Sequence, residues 1–384
     1  MSHLRREPAG SGPYRLRSEP VVRRPLPVRV SGTRYPAPPG SAGRSDSPSP
    51  NPNRGRLQGL GPPGSTRPEQ TSDSLTNRLH DNEIPIDGDL VRQLIDTQFP
   101  QYRSQPLQAL DATGSTNRLF RLGPDLLVRL PRQPDGKSID KEDRWLPILA
   151  QHLPVSVPEI VGIGDPGCGY TERWSITRWL DGQSPGACRP EDSVSAERST
   201  LANDLADFIL ALRETDCPES TTSDPTLDGY RGHTLIEYDD QTRINIQECR
   251  SITDLDIDLD AASRIWNEAI ELPATPEAPL RCYHGDLVSE NLLMVDNRLT
   301  AVLDFGELGV EDSTVDLHGA WELFDKEARQ IFRTRLEADE SEWLRGRAWA
   351  LAISLSTFTY YWNTMPRRRE DRLAMVRNAI ADSE

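Results

Sequence analysis

The stretch that decides the fold of this chain reads YHGDLVSENLLMV over residues 283–295, and VLDFG follows over residues 302–306. Asp286 lies in a turn-forming segment, and Asn291 follows five residues later. The apolar run after Asn291 predicts a strand, and the turn residues behind it predict a hairpin whose return strand ends at Asp304. Because a hairpin brings its two ends together, we expect Asp286, Asn291 and Asp304 to converge on one small volume.

These three side chains suit phosphoryl transfer. One carboxylate, that of Asp286, would orient an attacking hydroxyl group and take its proton, while oxygens of Asn291 and Asp304 would fix magnesium on the phosphates of a nucleoside triphosphate. Catalysis of this kind depends mostly on positioning and on charge neutralisation. We therefore predict Asp286 as the catalytic base and Asn291 and Asp304 as ligands of Mg²⁺.

The two motifs resemble those of the aminoglycoside and macrolide phosphotransferase family, which has a protein-kinase-like fold. That family has a catalytic loop of the form H-G-D-x-x-x-x-N and a D-F-G-type strand end. Residues 312–317 are similar to its following segment, with Ser313 in place of a proline and Asp316 as a carboxylate that anchors the loop. The resemblance covers about residues 86–365. It implies a two-lobed α+β fold with a small antiparallel-sheet N-lobe and a larger helical C-lobe.

The resemblance extends to residues that would contact the nucleotide. The turn with Ser115 and Thr116 looks like the family's hairpin over the phosphates, although it lacks a G-x-G-x-x-G signature. Arg129 stands where kinases place a phosphate-binding lysine, and Glu142 matches the glutamate that pairs with that residue. The resemblance thus implies that these four residues bind ATP or GTP. A solvated strand arginine, and Asp143 as the pairing residue, remain the alternatives.

The resemblance also implies a small-molecule kinase whose acceptor is a hydroxyl group of an aminoglycoside-, macrolide- or metabolite-type compound. The motif does not identify the acceptor, because relatives use the same loop on choline, homoserine or sugars. A nucleotide-binding pseudokinase is the alternative from another class, and the intact set of Asp286, Asn291 and Asp304 argues against it. The acidic residues 254–260 would suit a cationic acceptor or a salt-adapted surface equally.

Composition divides the chain of 384 residues into three parts. Residues 1–75 are rich in arginine, proline, glycine and serine, and such a segment cannot bury enough apolar surface to offset its ordering entropy. We predict a disordered, passive tail there, with a nucleic-acid-binding arm in residues 1–70 as the alternative. A nucleotide-binding N-lobe is expected over residues 84–181 and a helical C-lobe with the catalytic and metal loops over residues 182–384.

The net charge of −16 means that the part after the basic tail is strongly acidic. Such a surface favours either solubility at high salt or attraction of a cationic substrate. No run of about 18 apolar residues is present, which argues against a membrane span. The five cysteines show neither zinc-site nor disulfide-framework spacing. We therefore predict a cytoplasmic protein with reduced thiols, whose partners are a nucleotide and a small acceptor rather than a membrane.

Hydrophobic periodicity predicts the elements that carry these residues. Strands are expected over residues 107–111, 118–122, 126–130, 160–164 and 174–179, before the hairpin of residues 292–303. Helices are expected over residues 138–149, 259–272, 321–336 and 342–362. The join near Asp181-Gly182 is expected to be a hinge between the lobes, and clefts between lobes are where ligands tend to bind. Residues 179–182 look like the family's connector, and the resemblance implies that their backbone would contact the purine edge of the nucleotide.

Overall fold

The computed structural model describes residues 79, 82–110, 116–134, 138–216, 224–227, 231, 233–272 and 280–382. All of them belong to Gln70–Glu384, one of two units into which contacts divide the chain. The predicted tail, residues 1–75, and the predicted site residue Ser115 lie outside the described residues.

Strands dominate the first part of the described chain and helices the second. The strands are β1 (Leu107–Ala109), β2 (Asn117–Leu122), β3 (Leu126–Pro131), β4 (Ile160–Gly164), β5 (Trp174–Arg178), β6 (Arg281–Tyr283), β7 (Leu292–Val295), β8 (Arg298–Val302) and β9 (Gly309–Glu311). The helices are α1 (Gly88–Gln98), α2 (Ser138–Leu149), α3 (Ala196–Glu214), α4 (Asp239–Cys249), α5 (Leu259–Ile270), α6 (Gly319–Leu323), α7 (Lys326–Arg335), α8 (Glu340–Tyr361) and α9 (Pro366–Ala381).

The first five strands form one antiparallel sheet in the order β1-β2-β3-β5-β4, which confirms the predicted hairpins. Side chains alternate between the two faces of a strand. On one face, the cross-strand neighbours Phe120, Val128 and Ile176 are buried in a core that includes residues of α1. Arg129 pairs with Ser175 in the same sheet and belongs to the opposite face. The register of the sheet therefore directs Arg129 away from this core.

A second core holds the helices together. Leu205, Phe208 and Leu212 recur at helical spacing along α3 and are fully buried in it. Helix α8 contacts α4, α5 and α9 and is buried on most of its circumference, so its mostly apolar second half, from Ala348 onward, lies in an interior helix. Among the described residues, no helix has the length and apolar character needed to cross a membrane.

The predicted helix over residues 321–336 is two helices, and the single-helix prediction was wrong. Helix α6 ends at Leu323, and Phe324 adopts an extended conformation with φ −122° and ψ 140°. Asp325 then caps α7, because its side chain accepts a hydrogen bond from the backbone N–H of Ala328. Because the apolar spacing continues through the break, periodicity alone predicts one helix and does not reveal that Asp325 is a capping residue.

The cysteines provide a second correction. Cys282 in β6 is disulfide-bonded, whereas Cys168, Cys188 and Cys249 are free. The expectation of reduced thiols throughout was therefore wrong at Cys282. Spacing along the chain does not report which cysteines approach each other in space.

The connector between the sheet and the helices is paired with β7. The backbone N–H of Gln183 donates to the carbonyl of Met294, and the N–H of Met294 donates to the carbonyl of Gln183. Gly182 before it has a φ of +145°, and a Cβ atom there would lie 2.8 Å from Cβ of Leu293. Only glycine fits this close approach without strain, so the connector is fixed beside the hairpin.

We expect Ile176→Ala in the sheet core to lower the free energy of unfolding by about 2–5 kcal/mol, because a fully buried aliphatic side chain is replaced by a cavity. Ile244→Ala on α4 is a matched control, since this isoleucine is 49% exposed, and should change stability by less than about 0.5 kcal/mol. Urea unfolding of both variants measures the difference. Equal destabilisation by the two changes would contradict the assigned sheet core.

Candidate active site

A buried carboxylate, Asp316, supports the loop that carries Asp286. It accepts hydrogen bonds from the backbone N–H groups of His284 (2.8 Å) and Gly285 (2.7 Å). Burial raises the pKa of Asp316, and its interactions with His284 and the two N–H groups oppose that rise. A carboxylate buried to this extent needs such partners. The predicted anchoring of the loop by Asp316 is therefore confirmed.

His284 connects the loop to the end of the hairpin. Its Nδ1 atom accepts the backbone N–H of Asp286 at 3.1 Å, which assigns the ring proton to Nε2. Nε2 then donates to the carbonyl of Leu303 at 3.0 Å, one residue before Asp304. The ring packs against Phe305 with centroids 4.6 Å apart. Because both ring nitrogens are engaged with backbone, His284 has a structural role.

The carboxylate of Asp286 is held at both oxygens. Asn291 Nδ2 donates to Oδ2 at 3.0 Å and to the backbone carbonyl of Asp286 at 2.9 Å. The Arg231 guanidinium donates to Oδ1. Burial by itself raises the pKa of Asp286, but the charges of Arg231 and Arg372 outweigh burial and hold it well below its usual range. Asp286 is thus an ionised carboxylate that remains 20% exposed.

Asp304 lies just after β8, where the hairpin comes back to the loop that carries Asp286 and Asn291. The N–H of Leu303 donates to the carbonyl of Asn291 at 2.8 Å, so the two chain segments adjoin. Asp304 has a left-handed backbone with φ +61°, and its side chain is 36% exposed. This left-handed conformation is sparsely populated for residues other than glycine, although aspartate adopts it more readily than most. The structure therefore places Asn291 in contact with Asp286 and brings the segment that ends at Asp304 beside Asn291.

Lys141 on α2 holds the turn after Asp304, and sequence reasoning did not assign it a role. Its Nζ donates to the carbonyls of Gly306 and Leu308, both at 2.8 Å. The residue is only 4% exposed. Its position directly before Glu142, on a helix expected to face the site, is the signal that could have identified it. Lys141 fastens the loop of Asp304 to the helix that carries Glu142.

Arg129 and Glu142 form a buried, bidentate ion pair. Nη1 of Arg129 lies 2.7 Å from Oε2 of Glu142, and Nη2 lies 3.1 Å from Oε1. Burial raises the pKa of Glu142, and the charge of Arg129 opposes that rise. Nη2 also lies 3.8 Å from Oδ1 of Asp304. The register that pairs Arg129 with Glu142 rather than with Asp143 is confirmed, and Asp304 joins the group.

Thr116 lies apart from the contacts described above. It is exposed before β2, and its carbonyl accepts the N–H of Arg132 at 2.9 Å. Ser115 beside it lies outside the described residues. The turn over the phosphates, with Ser115 and Thr116, therefore stays a prediction.

The oxygen atoms of Asn291 and Asp304 fit a hard cation. Magnesium keeps several waters and typically takes one or two protein carboxylates together with the phosphates of a substrate. Within the described ranges, no group of three or more His, Cys, Asp or Glu side chains forms a metal site.

The C-terminal helix contacts the catalytic loop through ion pairs that sequence reasoning missed. Arg368 lies 2.6 Å and Arg372 3.5 Å from the same oxygen of Glu290. Arg372 also pairs with Glu322, whose carboxylate accepts the N–H of Ser289 at 2.7 Å. The i, i+4 spacing of the two arginines was a signal for one helix face. Because these arginines lie far from the loop in sequence, the sequence did not indicate that Glu290 is their partner.

Comparison with known proteins identifies a family and a fold. The model of the phosphotransferase enzyme family matches residues 108–350, more than half of the chain. A search of curated proteins finds no match.

Solved structures of the same fold include the GDP complex of wild-type aminoglycoside 2'-phosphotransferase-IIIa. It is 19% identical, with a TM-score of 0.57, and the match covers 77% of this chain and 98% of that chain. The GDP and kanamycin complex of APH(2'')-IIia is also 19% identical, with a TM-score of 0.56 and coverages of 76% and 97%. The streptomycin-ATP-APH(2'')-IIa complex is 17% identical, with a TM-score of 0.52 and coverages of 73% and 92%.

We expect Lys141→Met to lower the free energy of unfolding by about 2 kcal/mol or more, because two buried carbonyls lose a charged donor. The exposed Lys326, at the start of α7, provides the matched control Lys326→Met, which should stay within about 0.5 kcal/mol. Chemical denaturation checks both variants. A Lys141 variant as stable as its control would show that this lysine does not hold the loop.

Proposed function

The chain belongs to the phosphotransferase enzyme family, and on that premise we propose that it transfers the terminal phosphoryl group of ATP or GTP to a hydroxyl group of a small molecule. The observation that supports this proposal best is the state of Asp286. It is an ionised, partly exposed carboxylate held at both oxygens, beside Asn291 and joined through the hairpin to Asp304. No other function is needed to account for this arrangement.

In the proposed reaction, the acceptor hydroxyl donates a hydrogen bond to the carboxylate of Asp286. Its oxygen attacks the terminal phosphorus of the nucleotide, the bond to the bridging oxygen breaks, and the diphosphate leaves with that electron pair. The hydroxyl proton passes to Asp286. A carboxylate with a lowered pKa is a weak base, but phosphoryl transfer passes through a loose transition state in which positioning matters most.

A further set of residues would bind the nucleotide and its metal ion. We propose that Arg129, oriented by Glu142, contacts the phosphates, together with Ser115 and Thr116 in the preceding turn. Asn291 and Asp304 would hold Mg²⁺, and the bound ion would neutralise charge on the phosphates. The 3.8 Å separation of Arg129 and Asp304 supports this arrangement, because phosphate-binding cation and metal ligand then face one volume.

The acceptor class is proposed from the relatives. Solved proteins of the same fold are described with kanamycin or streptomycin, so an aminoglycoside-like hydroxyl compound is one candidate. A macrolide or a metabolite of the choline, homoserine or sugar type is the alternative. Two of the acidic residues at the start of α5 are already engaged, because Asp258 caps that helix and Asp260 pairs with Arg250 at 2.6 Å.

We expect Asp286→Ala to reduce magnesium-dependent phosphoryl transfer by about 10²–10⁴-fold, since a positioned general base contributes that much. Nucleotide binding should be preserved. The control is Asp254→Ala, a change of an exposed aspartate that should leave turnover unchanged. A panel of aminoglycosides, macrolides, sugars and amino alcohols with ATP or GTP provides the assay. Undiminished turnover in Asp286→Ala refutes the assigned base, and nucleotide binding without turnover of any acceptor supports a pseudokinase.

We expect Arg129→Ala to raise the KM for the nucleotide by about ten- to a hundredfold, the equivalent of one charged hydrogen bond. Arg129→Lys should be intermediate, because a point charge replaces the planar fork. Arg118→Ala lies on the adjacent strand and the opposite sheet face and should leave KM unchanged. Steady-state kinetics with varied nucleotide decide the matter. An unchanged KM in Arg129→Ala would show that Arg129 does not contact the nucleotide and serves only as the ion-pair partner of Glu142.

A further inference from the structure

We propose that Arg231 is a positioning residue that holds the carboxylate of Asp286 at Oδ1, the oxygen that Asn291 does not bind. The inference rests on the proposed catalytic role of Asp286. Arg231 lies in the segment between α3 and α4, 55 residues before Asp286, and sequence reasoning gave it no duty in the site. The side chain of Arg231 is 23% exposed and that of Asp286 is 20% exposed. Because the two side chains are in contact, both border solvent at the same place.

The contact has two points. Nη1 of Arg231 donates to the backbone carbonyl of Gly285 at 3.1 Å and to Oδ1 of Asp286. Asn291 makes a similar pair of contacts, to the backbone carbonyl of Asp286 and to Oδ2. Arg231 and Asn291 thus each donate to one carboxylate oxygen of Asp286 and to one backbone carbonyl of the loop. Together they fix the orientation of the carboxylate plane relative to the loop.

The charge of Arg231 also offsets the negative charge of a second carboxyl group, that of Glu307. A Cβ atom on Gly285, whose φ is +83°, would lie 3.0 Å from Cβ and from the carbonyl oxygen of Glu307, so the two loops adjoin. Burial raises the pKa of Glu307, the charge of Arg231 lowers it, and the charge of Asp286 raises it. Loss of Arg231 would therefore leave the charge of Asp286 less compensated at this junction.

Loss of this residue should therefore act on catalysis through Asp286. A carboxylate that is four-fifths buried and loses its cation is destabilised, and it turns toward water or away from Glu307. Displacement of a catalytic group by about 1 Å is enough to cost about 10²-fold in rate. Nucleotide affinity should change little, because Arg129, Glu142 and Asp304 are untouched.

The test compares Arg231→Ala and Arg231→Lys with wild type in magnesium-dependent hydrolysis of ATP and GTP by the full chain, where water replaces the acceptor. We expect kcat to fall at least about tenfold in Arg231→Ala with the nucleotide KM changed by less than about twofold. Arg231→Lys should recover part of the loss. Added guanidinium ion should restore turnover in Arg231→Ala and not in Asp286→Ala, and sodium chloride at equal ionic strength should have no such effect.

The matched control is Arg250→Ala, which removes an exposed arginine paired with Asp260 outside the site. Its turnover should equal that of wild type. Unchanged turnover in Arg231→Ala would overturn the proposal. A rise in turnover would overturn it as well, because the contact would then restrain the site rather than arrange it.

A second measurement keeps the inference separate from the proposed function. If the wild-type protein binds nucleotide but hydrolyses neither ATP nor GTP, the proposed phosphoryl transfer is contradicted. Urea unfolding then still tests whether Arg231 pairs with Asp286. Arg231→Ala should lower the denaturation midpoint, and adding Asp286→Asn to it should restore most of the loss, because the uncompensated charge is removed. Strictly additive effects of the two changes would show that Arg231 does not hold Asp286.

Discussion

The carboxylate of Asp316 has no exposed surface, yet it accepts the backbone N–H groups of His284 and Gly285 and thereby sets the path of the catalytic loop. Because the loop backbone is held there, His284 can bond the N–H of Asp286 on one side and the carbonyl of Leu303 on the other. The catalytic loop and the end of the hairpin are thus oriented by one buried acceptor. Loss of that acceptor would leave two N–H groups unpaired in the interior.

Several carboxylates around the site are paired with an arginine from a different part of the fold. Arg129 in the sheet pairs with Glu142 in α2, and Arg368 in α9 pairs with Glu290 beside Asn291. The planar guanidinium suits such bidentate or shared contacts in partly buried places. These pairs hold the sheet, the loops and the C-terminal helix in one arrangement around the ionised Asp286, which is the condition that phosphoryl transfer requires.

Local pattern was sufficient for most of the elements and for the centre of the site. Period-2 and helical spacing predicted the strands of the sheet, and the hairpin argument predicted that Asp286, Asn291 and Asp304 are joined. Prediction failed where the apolar spacing continued through a capping residue, as at Asp325. It also failed for the disulfide-bonded Cys282, because pairing of cysteines depends on spatial approach.

The sequence by itself determined the hairpin that links Asn291 to Asp304, since the motif residues Asp286, Asn291 and Asp304 lie within nineteen residues and a turn returns the chain. It also determined the family, through motifs at a set mutual distance. Only the tertiary structure decided which cations surround Asp286. Arg231 contacts it from 55 residues earlier in the chain, Arg372 contacts Glu290 in the same loop from 82 residues further on, and Lys141 contacts the turn after Asp304 from α2. Contacts of this range follow from the packing of helices against loops, and no local periodicity encodes them.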